Sequence, residues 1–166
     1  MSRQLPLVQQ QLQHYRPFFE LEPELLTANE PTISGWGISS HLDHTLRVTC
    51  AIVKAVAAGK ELTGPGISLL GRLVLAIGYI PRGKAKSPAS VSGQPSSVME
   101  LNGLWQAAAN ELQQIARGVD ALGSKRLIAH PRFGALTAEQ GLRFVIVHTN
   151  HHLKIAREIL AVQRRQ

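Results

Sequence analysis

Apolar side chains recur along this chain at intervals of three and four residues, the period of a helix that buries one stripe, and no strand-like alternation competes with them. Four long helical patterns stand out. The first lies within residues 3–28 and is interrupted by Pro17, so it reads as two pieces. The second follows Trp36 and runs to Ala58, where Gly59 supplies a stop. A shorter pattern, Ile67 to Ile80, ends at Pro81 and reads as an accessory helix. The third long pattern opens at Ser97-x-x-Glu100, a capping box ahead of an apolar run reaching Leu122. The last opens at a second capping box, Thr137-x-x-Gln140, and reaches about Gln163.

Between these lie PRGKAKSPASVSGQPSS, longer than most connections inside a compact domain, and GSKRLIAHPRFGAL, read as a second connection. Helices with one apolar stripe each bury those stripes most simply as a bundle. The expected fold is therefore all-α: an antiparallel four-helix bundle with a short accessory helix and long loops, forming a single domain over residues 1–166.

The composition supports this reading. At 44% apolar and 17% charged the chain is globular rather than disordered, and its 5% aromatic content with abundant Leu, Ala, Gln and Arg favours helix. A formal charge of +7 makes polyanions conceivable partners, but the cations are dispersed and not interleaved with aromatics, so nucleic-acid binding is the weakest reading. The single cysteine, Cys50, excludes an intrachain disulfide and fits a reducing compartment. The opening MSRQLPLVQQQLQHYRPFF has no signal-peptide core, and ISLLGRLVLAIGYI is too short to cross a bilayer and contains Arg72. No membrane association is expected, and the cytoplasm is the expected location.

The candidate chemistry sits in HTNHH, residues 148–152. On a helical wheel advancing about 100° per residue from Phe144, the apolar residues of the last helix fill an arc from about 20° to about 180°. His148 and His152 fall inside it near about 40° and about 80°, and His151 lies at the solvent border near about 340°. Two imidazoles four residues apart stand one above the other on a helix, the spacing at which both can hold one metal ion. Paired core histidines are the alternative. HLDH, residues 41–44, supplies candidates for a third ligand near the start of the second long helix. His41 lies deeper in that helix's apolar arc, while His44 has small neighbours, Ala51 and Ala55, that leave room for an ion; periodicity alone leaves the choice open. Three neutral imidazoles with one position left to water form an open site of catalytic type, suited to Zn²⁺ first and to Ni²⁺, Mn²⁺ or Fe²⁺ as alternatives. Cys50 points about 120° away from His44, too far round the helix to share the ion. Trp36 and Trp105 read as core or interface residues, and His14 and His130 receive no role beyond surface or turn.

Trp36, then His44 eight positions later, then a C-terminal helix with His148 and His152, resembles the DinB-like (DinB/YfiT) superfamily of metalloenzymes. The segments HPRFGALTAEQGLRFVIVHTNHHLKIA and IPRGKAKSP are similar to an uncharacterised branch of it, and the resemblance extends from about Trp36 to the end. It implies an antiparallel four-helix bundle holding a divalent metal through His44, His148 and His152, with His41 a nearby pocket residue. The chain departs from the commoner pattern in reading LKIA after His152, where many relatives carry a Gly-Gln pair, and in placing Ser40 where an acidic or amide residue is frequent.

Three function classes follow. The first is a metal-dependent enzyme, a thiol-cofactor transferase or hydrolase. Its substrate would be a small molecule such as a low-molecular-weight thiol; a basic loop carrying Arg82, Lys84 and Lys86 reads equally as an element that draws in an anionic substrate and as a solvated linker. No residue is assigned as general acid or base. The second is a non-catalytic metal-binding or structural bundle acting as a homodimer, an association expected for either class. Nucleic-acid binding is the third.

Overall fold

A computed structural model describes residues 2–83 and 88–165. The first helical stretch is cut as Pro17 requires. Helix α1, Leu5–Gln11, tightens into a 3₁₀ turn over Leu12–Tyr15, and α2, Arg16–Phe19, restarts with Pro17 in its first turn, where its missing N–H breaks no hydrogen bond. Helix α3 covers Pro23–Thr27. Helix α4, Ile38–Ala58, ends on Gly59 at φ +60°, the left-handed stop foreseen for it. Helix α5, Leu69–Ile77, is shorter than its apolar pattern because Ser68 caps its start and Gly78, at φ +73°, closes its end. Helices α6, Val98–Ile115, and α7, Ala138–Gln163, both begin with complete capping boxes, Ser97 with Glu100 and Thr137 with Gln140.

The expectation of an all-α chain needs one correction. The second connection contains an antiparallel pair, β1, Arg126–His130, and β2, Gly134–Thr137, with a register irregularity between Arg126 and Ile128. Strands of five and four residues are too short for alternation to register against the surrounding helical periodicity. What forms them is burial. Leu127, Ile128, Ala135 and Leu136 are withdrawn from water, and the hairpin packs on α4 and α7. His130 closes the turn, its Nδ1 accepting the backbone N–H groups of Arg132 and Phe133.

Helix α4 packs along both α6 and α7, and α1 lies against α7 and α6. Their stripes meet in one core containing Val8, Tyr15, Leu42, Leu46, Leu101, Leu112, Leu142, Leu153 and Ile159. Polar ties fix the N-terminal segment in place. Tyr15 Oη donates to Thr45 Oγ1 at 2.7 Å, Gln11 Nε2 to the Ile146 carbonyl at 2.9 Å, and Trp105 Nε1 to the Leu12 carbonyl at 2.7 Å. Helix α5 packs on α7 but leaves Leu69, Leu70, Leu73 and Ile77 exposed. Among the described residues no helix is long and apolar enough to cross a membrane.

Leu46 is fully buried in α4, so Leu46→Ala is expected to cost about 3 kcal/mol, whereas Ser97→Ala, which removes only a cap, should cost about 1 kcal/mol. Urea denaturation monitored by circular dichroism separates the two.

Candidate metal centre

The first half of α4 and the middle of α7 face each other, and their histidines meet between them. His44 Nε2 lies 3.0 Å from His148 Nε2, and one ring nitrogen from each of His44, His148 and His152 falls within 4.8 Å of the others. His44 and His148 are buried and His152 is half-buried. The helical phase deduced for α7 is thus realised: His148 and His152 turn inward. His151, placed at the solvent border, is half-buried and hydrogen-bonds the Ile80 backbone.

Each ring is held by a partner outside the trio, except one. His44 Nδ1 makes a short contact to the Val91 carbonyl. A carbonyl can only accept, so His44 carries its proton on Nδ1 and presents a lone pair at Nε2. His152 Nδ1 lies 2.9 Å from His41 Nδ1, and His41 Nε2 lies 2.9 Å from Ser34 Oγ. The two HLDH candidates therefore have different places: His44 faces His148, while His41 stands behind His152. Among the described residues His148 Nδ1 is buried with no partner, and Phe144 backs its ring at 5.0 Å between centroids. Leaving such an atom unpaired costs about 1–3 kcal/mol.

Trp36 covers this group. Its ring meets His41 and His44 edge-on at 5.5 and 5.1 Å and stacks on His152 at 6.1 Å. A core or interface reading of Trp36 misses this position; the eight-residue step from Trp36 to His44 was the available signal. Trp105 lies elsewhere, half-buried against the N-terminal segment.

The Val91 carbonyl is placed by a clamp on α4 that the sequence did not reveal. Asp43 is fully buried; its carboxylate accepts from Arg47 Nε at 2.7 Å, the Gln94 backbone N–H at 3.1 Å and Ser96 Oγ at 2.9 Å. Asp43 reads by helical phase as part of the polar side of α4, beside Arg47 and Lys54. That side is instead covered by residues 91–96, which approach so closely that a Cβ on Gly93 would stand 2.2 Å from the Ser40 carbonyl.

Burial dominates the electrostatics. It pushes His148 well below the ordinary imidazole range, with the neighbouring His44 adding to the effect, and drives His152 down in the same way. His41 is lowered to about 4, first by burial and then by the charge of His44. His44 is also lowered by burial, with the Val91 bond and Asp43 acting against it. At neutral pH all four rings are uncharged, the state in which imidazole binds metals.

The other candidates do not join the site. Cys50 is buried, its thiol raised to about 11 by burial, and it is not among the clustered ligands. His130 stacks on Phe133 at the hairpin turn, and His14 is exposed. Arg82 pairs with Glu158 at 2.8 Å, tying its loop to α7; Lys84 and Lys86 lie outside the described residues. The chain matches no protein-family model, no curated protein and no solved structure.

Two outcomes test this geometry. Gly93→Ala should push residues 91–96 off α4 and free His44 Nδ1–H, so a slowly exchanging imidazole proton seen by NMR in the wild type should be lost. Second, His41 and His130 are held at about 4 in the folded chain against about 6.5 in the unfolded one. Above about pH 6.5 both states are neutral and stability is flat. As pH falls from about 6.5 to about 4 the unfolded state takes up protons the folded state refuses, so the melting temperature should decline across that window and His130→Gln should shallow the decline.

Proposed function

We propose that this chain is a DinB-like metalloprotein, an antiparallel four-helix bundle that holds a divalent ion through His44, His148 and His152. The observation carrying this reading is the convergence of three ring nitrogens from α4 and α7 within 4.8 Å. The donor set fits the ion. The 3.0 Å between His44 Nε2 and His148 Nε2 approaches the ~3.4 Å expected of two nitrogens about 2.1 Å from a tetrahedral Zn²⁺. The rings are neutral, His44 leans on a backbone carbonyl of the kind that orients ligand histidines, His152 has His41 behind it, and no cysteine joins the cluster. Nitrogen-only ligation favours Zn²⁺, with Ni²⁺, Mn²⁺ and Fe²⁺ as alternatives.

Three protein ligands leave coordination positions open, which supports an enzyme rather than a structural metal knot. A divalent ion there would supply Lewis-acid chemistry, lowering the pKa of a water or substrate thiol to give a nucleophile at neutral pH. The chain itself contributes orientation: Val91 and His41 fix two imidazoles, and Trp36 shields them from water. We assign a thiol-cofactor transferase or hydrolase acting on a small molecule, located in the cytoplasm.

Equilibrium dialysis followed by elemental analysis should find one Zn²⁺ per chain. His148→Ala should lose it while keeping its helical circular dichroism, and metal at 100 times Kd should stabilise the wild type by about 2.7 kcal/mol. A wild type that binds none of the four metals ends this reading. A protein that binds metal but turns over neither thiol cofactors nor simple esters and amides would instead be the non-catalytic metal-binding bundle.

The exposed face of α5 favours self-association in either case. Leu69, Leu73 and Ile77 project at helical spacing from a short helix, with 83%, 54% and 65% of their surfaces in water. Sedimentation should give a dimer for the wild type and a monomer for the Leu73→Glu, Ile77→Glu double variant.

A further inference from the structure

Behind the proposed ligands runs a line of polar contacts that the three-histidine reading does not use. His152 Nδ1 meets His41 Nδ1 at 2.9 Å, His41 Nε2 meets Ser34 Oγ at 2.9 Å, and the same oxygen accepts the Trp36 backbone N–H at 3.1 Å. Ser34 is itself held in a turn, with the Ile33 and Ser34 N–H groups bonded to the Glu30 carbonyl at 2.8 and 2.9 Å. We propose that Ser34 and His41 form a relay that sets which ring nitrogen of His152 carries the proton, making His41 a positioning residue of the metal centre. This rests on the assignment of His152 as a ligand.

The argument is one of hydrogen-bond polarity. Two facing imidazole nitrogens share a single hydrogen, and a neutral ring donates from one nitrogen only. The line therefore has two self-consistent arrangements. In one, His152 Nδ1–H donates to His41, His41 Nε2–H donates to Ser34 Oγ, and His152 Nε2 is left with a lone pair for a cation. In the other, Ser34 Oγ–H donates to His41 Nε2, His41 Nδ1–H donates to His152 Nδ1, and the His152 proton sits on Nε2, where it blocks ligation. Passing from the second to the first moves one proton from Ser34 to His41 and another from His41 to His152. One proton leaves His152 Nε2 and one enters at Ser34 Oγ, so the total is unchanged. Ser34 is half-buried and is followed by the exposed Gly35.

Ligand histidines commonly lean on a carboxylate or a backbone carbonyl, and His44 does so through Val91. His152 leans on an uncharged imidazole that can reverse its polarity. The hydroxyl is the one group in the line able to donate or accept without a change of tautomer, and it also holds the backbone of Trp36, whose ring stacks on His152. The relay and the covering tryptophan thus share one anchor.

The test is titration of the full chain with Co²⁺, read by visible absorption, and with Zn²⁺ in competition. His41→Leu should still bind one ion but about 10–100-fold more weakly, with a shifted Co²⁺ band as the His152 ring is freed to turn. His41→Asn, whose amide oxygen can stand where Nδ1 stands, should recover most of the affinity and the wild-type band; packing alone would not favour Asn over Leu. Ser34→Ala should weaken binding several-fold and keeps the test open should His41→Leu fold poorly. Wild-type affinity and an unshifted band in both His41→Leu and Ser34→Ala overturn the relay and leave the three-histidine site standing. Absence of Co²⁺ and Zn²⁺ binding by the wild type removes the site and the relay together.

Discussion

The contact between His44 and His148 across α4 and α7 is the constraint on which the rest of the site depends. Two imidazoles at 3.0 Å in a buried environment cannot both be charged, and burial holds each in its neutral form. Such a pair is unfavourable as part of a core, because imidazole is polar and one of its atoms, His148 Nδ1, finds no partner among the described residues. The helices carrying the pair must therefore be held by something stronger. The seam supplies it: Leu42, Leu46, Leu142 and Leu153 are fully buried along the same helices and fix their spacing and rotation.

Around this pair the protein builds orientation from uncharged groups. A carbonyl holds His44, an imidazole and a hydroxyl stand behind His152, and an indole covers the cluster. A buried carboxylate nearby, Asp43, is directed at Arg47, Gln94 and Ser96. Its role is to bind residues 91–96 to α4, and so it acts on His44 through the backbone of Val91. A cation held by the three rings would keep its full charge, which favours an anionic fourth partner such as a thiolate or hydroxide.

Local signals made most of the fold legible. Ser97 with Glu100, Thr137 with Gln140 and Gly59 mark helix ends because a cap or a left-handed glycine acts within a few residues of itself. The phase of α7 was legible for the same reason: 26 residues of regular helix turn in a known way, so His148 and His152 could be placed facing inward. The hairpin was not, since its strands are created by the surface they cover.

The sequence by itself determined where α4 and α7 begin and end and where α6 begins, though α6 stops at Ile115, short of the Leu122 its apolar run reached; it also determined that one face of α7 carries two inward histidines and that α4 offers two more. Helical phase could not choose between His41 and His44, because both lie in one apolar arc and phase says nothing about what stands opposite; the eight-residue step from Trp36 pointed to His44 only by resemblance. Only the packing of α4 on α7 gave His44 to His148 and His41 to His152. Ser34, Val91 and Asp43 entered the site the same way, through contacts between residues 47 to 111 positions apart, which no local pattern encodes, and through a seven-residue step that crosses from loop to helix.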